Sequence, residues 1–203
     1  MDIAILTFDG FNELDSFVAA HILNRLRGRG WRARIVSPSA EVTSMNGVRV
    51  HADEPLEFAR TADAVIVGSG TKTREIVADG ALLARLALDP GRQLIGAQCS
   101  GALVLAKLGL LGGLPACTDL ATKPWVVEAG VEVLDQPFFA SGNIATAGGC
   151  LASQYLATWI MLRLGDAEAA EQVLRYVAPV GEKDLYWRRA LDAVTPYLVQ
   201  RAA

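Results

Sequence analysis

The chain has 203 residues, of which 52% are hydrophobic and 20% are charged. This is enough apolar material for a buried core, which excludes a disordered chain, and the length favours one domain over residues 1–203. Lysine and arginine total 19, aspartate and glutamate total 22, and the net charge is -3. Without a basic excess there is no field to attract a phosphate backbone, so nucleic-acid binding is not expected.

The sequence shows no pattern of secretion or membrane insertion. Its three cysteines cannot complete a disulfide framework, and Asp2 and Asp9 stand where a secretory leader needs basic or apolar residues. The longest apolar stretch, Leu151–Leu164, is interrupted by polar residues and is too short to span a bilayer. We therefore expect a reduced, cytoplasmic protein that does not bind membranes.

Apolar runs that end at turn residues alternate along the chain with segments of helical spacing. The predicted strands are Ile3–Phe8, Trp31–Val36, Asp63–Val67, Gln93–Gln98, Val131–Val133, Phe138–Ala140 and Asn143–Ala147. The predicted helices are Asp15–Leu26, Thr73–Leu88, Ala102–Leu111, Leu151–Leu164, Ala167–Tyr176 and Asp184–Gln200. Asn46-Gly47 suits a tight turn and predicts a small hairpin over Val42–Val50. The alternation predicts a mostly parallel sheet with helices on both faces.

The segment around Cys99 carries the strongest indication of chemistry. A buried strand ending at Gln98 runs directly into Cys99-Ser100-Gly101 and then into an apolar helix. Ala97 and Gly101 are small, which lets the backbones of the strand and the helix approach closely. This pattern predicts a nucleophile elbow, a sharp turn that lifts the central side chain above the sheet.

The same position would activate the sulfur. A cysteine at a helix N-terminus is stabilised as the thiolate, which lowers its pKa. The backbone N–H of Ser100 and one from the loop Gly68–Gly70 would stabilise developing negative charge. The alternative is that Cys99 is inert packing, as most lone cysteines are. Cys117 and Cys150 lack this setting, and we expect both to be structural.

Signals for bound groups are incomplete. Gly68–Thr73 follows a strand, but it lacks the third glycine of a dinucleotide loop and the Gly-Lys-Ser/Thr of a phosphate loop. The cysteines and histidines show no short spacing typical of metal ligands. We expect neither a metal nor a cofactor.

Five groups of residues follow one another in a specific order. They are Ile5–Phe11 with Glu13–Asp15, Val65–Thr71, Gln98–Gly101 with Leu108–Leu111, Gly142–Asn143 with Ala147–Gly149, and Tyr176 with Ala178–Pro179. From about Ile3 to Pro179 the chain resembles the DJ-1/PfpI (ThiJ) superfamily of class I glutamine-amidotransferase-like domains. Within it the chain most resembles the isonitrile hydratase and AraC-regulator-like branch. The resemblance implies a flavodoxin-like three-layer sandwich and a homodimer.

The resemblance also implies an acidic residue beside the cysteine, and Asp15 is the matching position. A carboxylic acid held against a thiolate would be protonated and would donate a hydrogen bond to the sulfur, so the two groups would share a proton. Asp15 would equally suit the N-cap of the first helix. The residues alone leave the two interpretations balanced, and the resemblance favours the functional one.

The sequence departs from the family pattern after the cysteine helix and after Asp15. Many relatives carry a histidine where this chain has Asp119, and a cysteine–histidine pair is not expected because His21 and His51 lie elsewhere in the sequence. The Gly-Pro that follows the aspartate in hydratase-like relatives is also missing. The candidates for oxyanion or substrate contact are Ser69, Gly70, Ser100, Thr118 and Asp119.

These features predict a cysteine-dependent enzyme that acts on a small electrophile. The resemblance implies an isonitrile hydratase-like reaction, in which Cys99 forms a thioimidate that water converts to an N-substituted formamide, with Asp15 managing the proton. Three alternatives stay open: a stand-alone redox- or ligand-sensing protein without turnover, a glyoxalase- or deglycase-like enzyme, and an amidase or peptidase.

Overall fold

The computed structural model describes residues 1–165 and 167–198, and it contains nine strands within them. The strands are β1 (Asp2–Leu6), β2 (Arg32–Ser37), β3 (Glu41–Thr43), β4 (Arg49–His51), β5 (Glu54–Pro55), β6 (Ala64–Val67), β7 (Leu94–Gln98), β8 (Phe138–Ser141) and β9 (Ile144–Ala147). Seven of these form one sheet in the order β5-β2-β1-β6-β7-β9-β8. Neighbours are parallel except for the β8–β9 pair, which gives the mostly parallel, flavodoxin-like α/β fold that the sequence predicts.

Helices cover both faces of the sheet. In the same residues they are α1 (Glu13–Asn24), α2 (Thr73–Ala78), α3 (Gly80–Ala84), α4 (Gly101–Lys107), α5 (Lys123–Glu128), α6 (Ser153–Leu164), α7 (Ala167–Val177) and α8 (Lys183–Val194). Short 3₁₀ turns lie at Arg27–Arg29, Leu56–Arg60, Cys150–Ala152 and Thr195–Tyr197. None of the helices in the described ranges is long and apolar enough to cross a membrane.

The central strands β1, β6, β7 and β9 bury both of their faces, as their nearly continuous apolar sequences predict. In β1, Ile3 and Ile5 belong to the core beneath α1, α6, α7 and α8. The alternate residues Ala4 and Leu6 belong to the opposite core, beneath the helices α2, α4 and α5. Because successive side chains of a strand point to opposite faces, one short strand supplies both cores.

Three parallel strands end side by side in the middle of the sheet. Val67 of β6 pairs with Ala97 of β7, and Gln98 of β7 pairs with Ala147 of β9. The residues that follow these strands therefore meet at one edge, where α/β sheets place their ligands. Cys99 follows β7 at this edge, and the described turn Cys150–Ala152 begins three residues beyond β9.

The structure confirms the hairpin, since β3 and β4 pair antiparallel around the Asn-Gly turn. It corrects the single helix expected over Thr73–Leu88, which is two short helices. Asp79 ends α2 and caps α3 by accepting a hydrogen bond at 2.9 Å from the Leu82 amide. Aspartate is a strong N-cap residue, and the following glycine weakens a continuous helix.

Two other predicted elements differ from the structure. The strand expected at Val131–Val133 is only an isolated bridge between Ala116 and Val133, and a helix that was not predicted, α5, lies before it. The last helix, expected over Asp184–Gln200, ends at Val194 where Thr195-Pro196 starts a 3₁₀ turn. The end of that predicted helix lies outside the described residues.

A buried glutamine fixes the start of β7, the strand that ends at the cysteine. The Gln93 side-chain amide donates to the carbonyls of Ala59 and Ala62 at 3.0 and 2.9 Å, and its oxygen accepts from the Asp89 amide at 2.9 Å. The side chain is fully buried, so removing the amide would leave buried backbone groups without partners.

We predict that Gln93→Leu lowers the free energy of unfolding by about 3 kcal/mol, because three buried hydrogen bonds are lost together. Denaturant unfolding followed by circular dichroism measures the change. The matched control is Gln172→Leu, since Gln172 is exposed and bonds only to Glu168 among the contacts described; its effect should stay within about 0.5 kcal/mol. Equal effects of the two substitutions would contradict the anchoring role of Gln93.

Candidate active site

The turn between β7 and α4 has the geometry that the sequence predicts. Cys99 has a φ of 49°, in the left-handed region that side chains other than glycine rarely adopt. A Cβ at Gly101 would lie 2.4 Å from the Val67 carbonyl oxygen, so only glycine fits where α4 crosses β6. The backbone strain at Cys99 and the close approach at Gly101 hold the sulfur at the end of the sheet.

Asp15 lies in the first turn of α1 and is fully buried. It does not cap the helix, because Asn12 occupies the N-cap and its side chain accepts from the Leu14 amide at 3.1 Å. The Asp15 Oδ2 accepts a short hydrogen bond from the Ser69 hydroxyl, whereas its Oδ1 has no hydrogen-bond partner among the described residues. The N-cap alternative is therefore wrong, and the carboxyl group is directed into the protein.

The structure places Cys150 beside Cys99 and Asp15, an arrangement that the sequence analysis did not predict. The two sulfurs and a carboxylate oxygen all lie within 4.8 Å of one another. The expectation that Cys150 is structural did not anticipate this position beside Cys99 and Asp15. The signal was present in the sequence, because Cys150 follows a predicted strand, as Cys99 does, and adjacent parallel strands end at the same edge.

Both sulfurs accept hydrogen bonds from side-chain amides. Gln98 Nε2 lies 3.4 Å from the Cys99 sulfur and also donates to the Gly149 carbonyl at 2.7 Å. Asn12 Nδ2 donates to the Cys150 sulfur at 3.2 Å. Each of the three clustered groups is thus held in place by one polar neighbour.

The electrostatics of Cys99 oppose the expectation of a lowered pKa. Burial is the main cause and raises the pKa of the Cys99 thiol well above its ordinary value; the negative charge of Asp15 raises it further. The charge of Asp119 also raises the pKa of the Cys99 thiol, by a smaller amount. The hydrogen bond from Gln98 lowers this pKa, but less than the other causes raise it. Burial and a neighbouring carboxylate outweigh the short helix α4, so Cys99 and Asp15 resist being negatively charged together.

One of the two proposed oxyanion donors, the Gly70 amide, already has a partner within the protein. The Gly70 amide donates to the Ser100 hydroxyl at 3.2 Å, and this hydroxyl lies 2.7 Å from the Thr73 hydroxyl. Gly70 also sits tightly against the Gly10 backbone, since a Cβ there would lie 2.6 Å from the Gly10 oxygen. This network ties the loop after β6 to the turn after β7.

Thr118 bonds to the elbow directly, whereas Asp119 bonds within its own loop. The Thr118 hydroxyl donates to the Cys99 carbonyl at 2.8 Å. The Asp119 carboxylate accepts from the amides of Ala121 and Thr122 at 2.9 and 3.0 Å and from the Thr122 hydroxyl. Asp119 therefore caps its own loop and acts on Cys99 through its charge.

Neither histidine is placed as a base for Cys99. The His51 side chain is 86% exposed and lies 3.8 Å from Glu41 on the hairpin. His21 is exposed on α1 and lines an open cleft of about 890 Å³ that Cys150 also lines. Apolar side chains such as Phe17 and Tyr155 make up much of this cleft, which gives access to the sulfur of Cys150.

Cys117 belongs to the interior, as expected. It is fully buried, and its backbone amide donates to the Thr146 hydroxyl at 2.8 Å. Burial raises the pKa of the Cys117 thiol from its ordinary value of 9.0 to about 12. This cysteine provides a matched control for substitutions at the other two.

Fold and site together define an α/β protein whose cysteine occupies a strained strand-to-helix turn beside a buried carboxyl group. The model of the DJ-1/PfpI family matches residues 1–162. The chain therefore belongs to the DJ-1/PfpI family. No curated protein matches it.

Solved structures of related proteins have the same fold. A DJ-1 superfamily protein from Salmonella typhimurium, solved as a cysteine-to-alanine mutant, is 26% identical; the match covers 88% of this chain and 98% of that one, with a TM-score of 0.75. A ThiJ/PfpI family protein from Pseudomonas syringae is 21% identical over 96% and 87% of the two chains, with a TM-score of 0.74. Oxidized DJ-1 from Toxoplasma gondii is 21% identical over 87% and 97%, with a TM-score of 0.72.

We predict that Asp15→Asn shifts the pH profile of Cys99 alkylation by about one unit or more toward lower pH, because a negative charge beside the thiol is removed. The measurement is the iodoacetamide rate against pH, resolved by peptide mass spectrometry. Asp119→Asn is the matched control and should shift the profile less, since its charge is the weaker cause. A shift toward higher pH in Asp15→Asn would mean that Asp15 stabilises the thiolate by donating to it.

We predict that Cys117 makes unfolding pH-dependent. Its raised pKa keeps the folded thiol neutral, so its stabilisation is fully present below about pH 9 and is lost as the pH rises toward about 12. Cys117→Ala should therefore make the decline in unfolding free energy shallower by about 1.4 kcal/mol per pH unit. Denaturant titrations at several pH values test this, and parallel curves for the variant and the parent would contradict it.

Proposed function

We propose that this protein is a cofactor-independent enzyme that uses Cys99 to attack a small electrophilic carbon. The observation that carries the proposal is the pairing of Cys99, in its strained turn, with the fully buried carboxyl group of Asp15. An elbow places a nucleophile at the end of the sheet, and an adjacent acid–base group is the usual means of activating it. The sequence resemblance to the isonitrile hydratase branch makes an isonitrile our proposed substrate, and the product would be an N-substituted formamide.

Proton movement between Cys99 and Asp15 explains how a neutral thiol reacts. Asp15 accepts the thiol proton as the sulfur attacks the terminal isonitrile carbon, and then delivers that proton to the same carbon. The result is a covalent thioimidate with no net change in charge. A water molecule next adds to the thioimidate carbon and supplies one proton to the nitrogen. The sulfur then leaves as the formamide forms, and the second proton of the water restores the Cys99 thiol. The sum is one isonitrile and one water converted to one formamide.

The elbow network favours a single orientation for the reacting group. Ser69 donates to Oδ2 of Asp15, whereas Oδ1 has no hydrogen-bond partner among the described residues, and a carboxylate oxygen of Asp15 lies within 4.8 Å of both sulfurs. The amides of Ser100 and Gly70 remain our candidates for stabilising negative charge in the transition state. For Gly70 to do so, its amide must exchange the Ser100 hydroxyl for the substrate. Thr118 and Asp119 are proposed to shape the approach to Cys99 rather than to carry protons.

The burial of Cys99 argues for a small substrate. The residue is 3% exposed, so a folded polypeptide cannot place its backbone against the sulfur. A histidine base would be needed for a protease-like pair, and both histidines of the chain are exposed. These observations favour a hydratase, or a glyoxalase- or deglycase-like reaction on a small aldehyde, over an amidase or peptidase.

We also propose that the protein acts as a homodimer in the cytoplasm. DJ-1 family proteins are commonly homodimers. Several large apolar side chains are exposed near the start of α1 and on the hairpin, where a second copy could cover them: Leu14, Met45 and Val48. Small-molecule substrate, rather than nucleic acid or membrane, is the partner proposed for the site.

We predict that Cys99→Ala abolishes turnover of isonitriles and ketoaldehydes while the protein stays folded. Asp15→Asn should lower kcat by about a hundredfold or more, since proton transfer is lost even though the thiol ionises more easily. Turnover is measured by product formation over a panel of both substrate classes, with circular dichroism to verify folding.

The matched control is Cys117→Ala, whose turnover should equal that of the parent. Full activity in Cys99→Ala would exclude Cys99 as the nucleophile. If the parent turns over no electrophile while Cys99 is selectively and reversibly oxidised, the site acts as a sensor instead.

A further inference from the structure

The cluster of Asp15, Cys99 and Cys150 contains more potential metal ligands than the proposed reaction uses. That reaction needs one sulfur and one carboxyl group. The sulfur of Cys150 is a third potential ligand, and it lies within 4.8 Å of both the Cys99 sulfur and a carboxylate oxygen of Asp15. In a tetrahedral zinc site, with Zn–S bonds near 2.3 Å, two sulfur ligands lie about 3.8 Å apart. Small side-chain rotations would therefore bring these atoms to bonding positions.

The fully buried carboxyl group of Asp15 has one oxygen, Oδ1, without a hydrogen-bond partner among the described residues, and two thiols beside it. A buried carboxylate oxygen without a donor is costly unless it takes up a proton or a cation. The atoms that surround it are sulfurs, which are weak donors as thiols and strong ligands as thiolates.

Each of the three groups has a second contact typical of a metal ligand. Ser69 donates to Asp15 Oδ2, Gln98 donates to the Cys99 sulfur, and Asn12 donates to the Cys150 sulfur. Outer hydrogen bonds of this kind orient ligands and stabilise the negative charge that they carry when a metal is bound.

We propose that Asp15, Cys99 and Cys150 form a binding site for Zn²⁺ or a similar borderline-soft divalent cation. Two thiolates select against Mg²⁺ and Ca²⁺, which prefer all-oxygen sites. Three protein ligands leave a fourth position for water or a small anion. The proposal goes beyond the proposed function and does not depend on it, since the metal-bound state would block Cys99 as a nucleophile.

The position of Cys150 supplies a route for the ion. Its side chain is only partly buried and lines the open cleft of about 890 Å³. The cation would meet Cys150 first and then reach the buried pair behind it. When the ion binds, both thiols lose their protons to solvent and the positive charge reverses the repulsion that Asp15 exerts on the sulfurs.

The test is a titration of the reduced, chelator-treated full chain with Zn²⁺, and with Co²⁺ as a spectroscopic probe. We expect one equivalent to bind, about two protons to be released for each Zn²⁺ at neutral pH, and Co²⁺ to give intense sulfur-to-cobalt charge-transfer absorption. Turnover should fall as Zn²⁺ saturates the site and return when a chelator is added.

Matched substitutions separate this site from adventitious binding. Cys150→Ser, which is nearly isosteric, should weaken Zn²⁺ binding by about a hundredfold or more, and Cys117→Ala should leave it unchanged. Asn12→Ser keeps an N-cap side chain but removes the amide donor to Cys150, and should weaken binding by about tenfold or more. Saturable binding that is undiminished in Cys150→Ser, or no one-equivalent binding to the parent, would overturn the proposal.

The two proposals fail separately. Turnover is assayed in the metal-free protein, so an inactive parent that still binds one Zn²⁺ through Cys150 contradicts only the proposed function. Conversely, an active parent that does not bind Zn²⁺ contradicts only the metal site.

Discussion

Parallel pairing of β6, β7 and β9 is the constraint on which the rest of this structure depends. It brings the loops after three strands to one edge of the sheet, and the 2.4 Å limit at Gly101 leaves no room for a side chain between β6 and α4. Hydrogen bonds of Gly70, Ser100 and Thr118 join this turn, in which Cys99 has a positive φ, to the neighbouring loops. The strain of the elbow is thus supported by ordinary hydrogen bonds in neighbouring loops.

Burial determines the chemistry at this edge. A thiol at a helix N-terminus in water would be expected to ionise easily, but Cys99 is only 3% exposed. Desolvation together with the charge of Asp15 raises the pKa of the Cys99 thiol. The consequence is that the pair of Cys99 and Asp15 resists a second negative charge. Such a pair suits reactions that begin and end neutral, such as the addition of a thiol to an isonitrile, in which a proton must arrive at carbon as the sulfur attacks.

The same electrostatics make the site receptive to a cation. The buried carboxylate of Asp15, with one oxygen unpartnered among the described residues, lies beside two sulfurs. A negative charge in this place is unfavourable until a proton or a metal ion neutralises it. The proposed nucleophilic chemistry and the proposed metal binding would therefore draw on one cluster and exclude each other. Cys150, which the proposed reaction does not need, is the residue that separates the two states, because it adds the second soft ligand and faces the open cleft.

The sequence by itself determined the strand and helix alternation, the hairpin and the elbow at Cys99, because each depends on local signals: apolar period, turn residues and small residues beside the cysteine. It could not decide whether Asp15 caps a helix or faces the sulfur, since that depends on how α1 docks beside β7. Nor could it show that Asp79 divides a helix, that Asp119 is used in capping its own loop, or that Cys150 lies within 4.8 Å of the other two groups. Those facts were decided by the tertiary structure, because residues 15, 99 and 150 meet only when the ends of separate strands are placed side by side.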